Sequence, residues 1–162
     1  MLIYAKNGHR PQLLEHLADV FPRHIQVHYG QYQREELFEA ARRSRACAYL
    51  ADDDHSPLAL QEILLAGCPT VGVGTGASFV PTGETAVVVD RLPPGRQCAE
   101  SDGDERALAV FMEAIEQAQS LDRHSVRERA ADQFDTSWIV DSIITAVDMA
   151  RLGGGIARAA NV

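Results

Sequence analysis

Along residues 1–90, short apolar runs alternate with amphipathic stretches, a pattern that predicts strands joined by helices. LIYA at 2–5 reads as a buried strand. Pro11 then opens a helix whose Leu13, Leu14, Leu17, Val20 and Phe21 recur at helical spacing, closed by Pro22. IQVHY at 25–29 is the second strand, ended by Gly30. Residues 34–43 form a charged helix with Leu37, Phe38, Ala40 and Ala41 on one face. ACAYLA at 46–51 is the third strand. A third helix starts at Ser56-Pro57, a good cap followed by a good first position, and runs from there to Ala66 before Gly67. TVGV at 70–73 and AVVV at 86–89 are strands four and five, and 91–103 reads as a loop rich in Pro, Gly and charge. Helices are expected over 104–119, 122–133 and 137–151, with a frayed tail at 152–162 and one domain over 1–151.

Five short strands joined by helices imply a parallel sheet with right-handed crossovers. The predicted spatial order is 3-2-1-4-5. Ligands of such sheets bind beyond the carboxyl ends of the strands. That rule selects the loops at 6–10, 30–33, 52–57 and 74–81.

Composition narrows the classes. A chain of 162 residues with 46% apolar and 23% charged residues can build one ordinary core. The formal net charge of -8 argues against a broad nucleic-acid face, because phosphate neutralisation supplies most of that affinity. No apolar stretch reaches the roughly 20 residues that span a bilayer. The opening MLIYAKNGHRPQ lacks the features of a signal peptide. Cys47, Cys68 and Cys98 are odd in number and have no CxxC spacing, so a thiolate zinc site or disulfide framework is not expected. A reducing cytoplasm is the expected compartment.

The loops carry the candidate chemistry. Asp52-Asp53-Asp54-His55-Ser56-Pro57 follows the third strand. Its acids fit three readings: a metal site like the Asp-x-Asp of GT-A glycosyltransferases, a solvated acidic loop, or a partner for Glu62 eight positions on. Glu62 interrupts the apolar helix PLALQEILLAG and is nearly surrounded by apolar positions. A half-buried carboxylate there suits the acceptance of hydrogen bonds from vicinal hydroxyls. Gly74-Thr75-Gly76 could let backbone N–H groups approach a phosphate, or be a plain turn. Lys6, the only lysine, ends the first strand on the same edge. Tyr29-Gly30-Gln31-Tyr32 ends the second and could flank a flat base.

Read in order, these segments resemble the C-terminal, donor-binding domain of GT-B glycosyltransferases, in the retaining group similar to glycogen- and mannosyl-type transferases. YGQYQREELFEAARRS resembles that group's strand, glycine loop and helix at the base pocket. DHSPLALQEILLAGCPTVGVGTG resembles its most diagnostic segment, an acid and a Glu eight apart before a Gly-x-Pro and a strand. FVPTGETAVVVD and FDTSW resemble the segments that follow, and the similarity runs from about residue 2 to 151.

The resemblance implies a Rossmann-like parallel sheet of about five strands flanked by helices, one half of a GT-B fold. It implies a nucleotide-sugar donor, UDP- or GDP-linked, with no metal. Glu62 would bind the ribose hydroxyls, and Asp54 would face the donor sugar as the catalytic carboxylate. Backbone amides of His55, Ser56, Pro57 and Leu58, with Gly74 and Gly76, would lie near sugar or diphosphate, and physics favours anions at a helix N-terminus. Lys6, with Arg10 as the second available cation, would stand against the diphosphate, and Gly30, Gln31 and Tyr32 would hold the base. The chain departs from the family in having Asp54 where Glu is usual and His55-Ser56-Pro57 for a Gly-Phe-Gly. It also holds one domain where the enzymes have two. An N-terminal acceptor-binding domain, in cis or in trans, is therefore the expected partner, in polysaccharide or glycolipid synthesis. The competing expectation is a non-catalytic nucleotide-binding or protein-interaction module of the same fold.

Overall fold

The structure, a computed structural model, describes residues 1–6, 10–51, 54, 58–73, 82–89, 101–135 and 144. Contacts divide the chain into Met1–Ala131 and Asp132–Val162, and the sheet belongs to the first unit. The described elements are β1 (Leu2–Ala5), α1 (Pro11–Val20), β2 (Ile25–His28), α2 (Arg34–Arg43), β3 (Cys47–Leu50), α3 (Leu58–Leu65), β4 (Thr70–Val73), β5 (Ala86–Val89), α4 (Ser101–Ser120) and α5 (Arg123–Gln133). The five strands form one wholly parallel sheet flanked by helices, an α/β Rossmann-like arrangement.

Local chemistry explains the element ends. Pro11 occupies the first turn of α1, where a missing N–H costs nothing. At the start of α2 the Gln33 backbone N–H donates to Glu36 Oε2 at 2.8 Å. Acids Glu35 and Glu36 sit in its first turn and Arg42 and Arg43 in its last, each matching the helix dipole. Asp122 Oδ2 accepts from both the backbone N–H and the hydroxyl of Ser125 at 2.8 Å, capping α5. Those two hydrogen bonds hold its carboxyl below the usual carboxylate range.

The strand order is β2-β1-β3-β4-β5, not the predicted 3-2-1-4-5. The expected order makes β3 an edge. Yet CAYL is buried at every position, whereas IQVH of β2 carries the exposed Gln26 and only Val27 is fully buried. The strand with polar side chains takes the edge and the unbroken apolar one moves inside. In register, Tyr4 lies beside Val27 on one side and Tyr49 on the other. Smaller differences are at boundaries. Residues 101–103, expected in a loop, begin α4, and β3 and β2 are each shorter than the apolar runs that mark them. The helix start at Ser56-Pro57, the helix over 137–151 apart from the helical Ile144, and the tail lie outside the described residues.

Alternation along the strands splits the core. Ile3, Ala48, Leu50, Val71, Val73 and Val89 pack with Leu13 and Leu17 of α1 and with Phe111, Ala114, Ile115 and Ala118 of α4. The opposite alternates, Leu2, Tyr4, Cys47 and Tyr49, are equally buried, on the side of Leu37 and Ala41 of α2 and Leu60, Ile63 and Leu64 of α3. Burial raises both thiols of this chain that the structure describes, Cys68 up to about 12, so neither is a nucleophile near neutral pH. Cys98 lies outside the described residues.

Helix α5 is joined to the sheet's helical layer by Arg123. Its guanidinium donates to the carbonyls of Ser44 and, at 3.2 Å, Ala41, closing the C-terminus of α2. Gly67 ends α3 at φ +74, and a Cβ built there would meet the Arg123 carbonyl at 2.8 Å. Gly67→Ala should therefore destabilise the chain by about 2 kcal/mol or more: roughly 1–2 from the left-handed backbone, with the backbone clash added. Urea unfolding of the two proteins measures this, and equal midpoints would contradict it.

Candidate functional site

In a doubly wound sheet, two neighbouring strands whose crossovers leave in opposite directions open a crevice between their carboxyl ends. The order β2-β1-β3-β4-β5 sets that point between β1 and β3. Lys6 follows β1 directly, its backbone N–H still bonded to the Leu50 carbonyl of β3 at 3.1 Å. Asp54 follows β3. The two meet across the switch point, with Lys6 Nζ 2.9 Å from Asp54 Oδ1.

Asp54 is 5% exposed, and its carboxylate is engaged on both oxygens. The Tyr49 hydroxyl donates to Oδ2 at 2.7 Å. The Tyr49 ring stacks on Tyr4, its register neighbour on β1, with centroids 4.8 Å apart and planes at 3°. Tyr4 in turn meets the edge of Tyr32, centroids 6.0 Å apart at 74°. Burial comes first in raising both phenols well above the ordinary tyrosine value. A hydrogen bond with Tyr32 adds to it for Tyr4, and the Asp54 carboxylate for Tyr49. Both therefore stay neutral and can donate. Lys6 has a second neighbour, its Nζ lying 4.9 Å from the centroid of the Tyr29 ring.

Above this floor opens a pocket of about 440 Å³ lined by Tyr4, Lys6, Tyr29, Gly30, Tyr32, Arg34, Asp54, Leu58, Ala59 and Glu62. Its volume is in the range that holds small organic ligands. Two neighbouring helices contribute to the lining. Glu62 enters from the middle of α3 with a side chain 19% exposed, and Arg34 from the first turn of α2. Arg34 Nε lies 2.6 Å from Glu62 Oε1. The described lining thus carries two cations and two carboxylates in two pairs, with aromatic rings and a glycine between them.

Of the residues expected at a ligand site, Lys6, Gly30, Tyr32, Asp54, Leu58 and Glu62 come together in this pocket. Gly30 takes φ +75, a backbone that favours glycine and turns the chain away from β2. Gln31 is exposed and lines a separate groove of about 340 Å³ along β2 instead. Arg10 is 2% exposed, in a left-handed backbone at φ 50, and is not among the pocket's lining residues. His55, Ser56, Pro57, Gly74 and Gly76 lie outside the described residues, as do Asp52 and Asp53. Among the described residues no group of three His, Cys, Asp or Glu could hold a metal ion, and no helix is long and apolar enough to cross a membrane.

The structure adds Arg34, Tyr4 and Tyr49, which pattern reading missed. The tyrosines were legible in principle: once β1 and β3 are adjacent in parallel register, residues 4 and 49 must face the same way. Arg34 had no such signal, since α2 and α3 are brought together only by the tertiary fold. No family model matches the chain, and no curated protein matches it in sequence.

Tyr49→Phe tests the floor. The substitution keeps the ring stack and removes the hydroxyl that donates to Asp54 Oδ2. Leaving a buried carboxylate oxygen without this donor should cost about 1–3 kcal/mol of stability by urea unfolding, far more than an exposed Tyr→Phe change. A loss below a few tenths would mean that the bond carries no weight.

Proposed function

We propose that the chain is the donor-binding half of a retaining GT-B glycosyltransferase, binding a UDP- or GDP-sugar. The observation that carries this reading is the meeting of Lys6, Asp54 and Glu62 with Gly30 and Tyr32 in one pocket at the β1/β3 switch point. It agrees with the order of motifs in the sequence, DHSPLALQEILLAG above all.

Each group has a chemical part in that reading. Glu62 accepts hydrogen bonds from the ribose hydroxyls. The Lys6 ammonium has three donors and gives one to Asp54, so others remain for a diphosphate oxygen. Tyr29, Tyr32 and Leu58 give the base an apolar cover around the Gly30 turn. Asp54 faces the donor sugar. Both of its oxygens already accept bonds from this chain, and that contact favours the second reading, a nucleotide-binding module without chemistry of its own. Under either reading no metal is required for binding.

Calorimetric titration with UDP, GDP and their sugar conjugates, with and without manganese, tests the site. Binding is expected without metal. Glu62→Ala should weaken it about 10-fold or more, the effect of losing charge-assisted hydrogen bonds. No nucleotide binding at all would end both nucleotide readings and leave the protein-interaction module.

Catalysis demands more than one wall of a cleft. Transfer needs acceptor oxygen and anomeric carbon held about 3–3.5 Å apart, and that alignment supplies much of the rate enhancement. The 162-residue chain alone should therefore show at most slow donor hydrolysis with a panel of sugar nucleotides and lipid or saccharide acceptors. Transfer at ordinary enzyme turnover without added protein would overturn the half-enzyme reading. Restored transfer on adding an acceptor-binding domain would favour it over the non-catalytic module.

A further inference from the structure

The Glu62 carboxylate has a partner within the chain itself. Arg34 Nε lies 2.6 Å from Oε1, and the ion pair spans the pocket from α2 to α3. The guanidinium carbon of Arg34 lies 5.6 Å from the centroid of the Phe38 ring, one turn further along α2. The Arg34 side chain is nevertheless 67% exposed, against 19% for Glu62. The arm thus rests on the rim and can move aside, while the carboxylate it holds stays inside.

A carboxylate has two oxygens, and a vicinal diol can give one hydroxyl to each. With Oε1 engaged by Arg34, one of the two is already contested. We propose that Arg34 is a specificity-determining residue of this pocket: it competes with the ligand's sugar hydroxyls for Glu62 and so limits how strongly they count toward affinity. This rests on the nucleotide reading of the pocket. The competition is modest, because the Arg34 end of the pair stands in water, where hydration and salt offset part of the attraction. It acts only on ligands that possess the hydroxyls. That separates it from a direct contact of Arg34 with base or phosphate, which would change affinity for a ribonucleotide and its dideoxy analogue alike.

The test is a ratio. Dissociation constants are measured by calorimetry for UDP and for 2′,3′-dideoxyuridine 5′-diphosphate, and likewise for the guanosine pair. The proteins are the wild-type chain, Arg34→Met and Glu62→Gln. Arg34→Met keeps an apolar stem beside Phe38 and removes the guanidinium. The preference for the ribonucleotide over its dideoxy analogue should rise about two- to five-fold in Arg34→Met. In Glu62→Gln it should fall toward one. An unchanged or lower preference in Arg34→Met, with Glu62→Gln still abolishing it, overturns the role of Arg34 and leaves the nucleotide reading standing. Nucleotide binding with a preference that Glu62→Gln leaves intact overturns the hydroxyl-reading role of Glu62 and the proposal together. Absence of binding by every nucleotide overturns the pocket's reading, and the proposal with it.

Discussion

A carboxylate cannot sit nearly out of reach of water at the end of a parallel sheet unless something answers its charge. At Asp54 the answer comes from two neighbouring strands: the Lys6 ammonium beyond β1 and the Tyr49 hydroxyl within β3. The ammonium is available only because β1 and β3 are adjacent, and the phenol lies in β3 itself. The pairing of these strands, the stacking of Tyr4 on Tyr49 and the position of Lys6 form one arrangement, and the pocket above depends on all three. Removing the carboxylate would leave an ammonium and a phenol facing each other across the switch point.

The reach of the sequence was uneven for physical reasons. Strands are short apolar runs, and those runs mark all five described strands to within a residue or two. Their order is a tertiary property. Alternation within β2 against the unbroken CAYL of β3 did contain the clue that β2 is the edge, but it is a comparison between strands rather than a pattern within one. Lys6, Asp54 and Glu62 were legible because strand ends and an interrupted apolar helix are local signals. Arg34 was not, because charged residues crowd the start of any exposed helix and only the meeting of α2 with α3 singles one out.

The two helical layers differ in how they are held. On the α1 and α4 face the contacts are apolar throughout the core cluster. On the α2 and α3 face, polar contacts join the packing: Arg123 closes the end of α2, Gly67 lets α5 approach the end of α3, and Arg34 ties the start of α2 to Glu62. The pocket is lined from the side of α2 and α3. Geometry there is set by angles and distances as well as by volume.

The chain has four tyrosines, and each belongs to this one region: Tyr4, Tyr29 and Tyr32 line the pocket, and Tyr49 lies beneath it against Tyr4 and Asp54. The phenol rings therefore form a built-in spectroscopic label. Selectively labelled tyrosine would give four ring spin systems, all from the floor and rim of a single cavity, with no background from elsewhere in the protein. Chemical-shift changes among them would separate an event at the rim, where Tyr29 is 54% exposed, from one at the floor, where Tyr49 is 1% exposed.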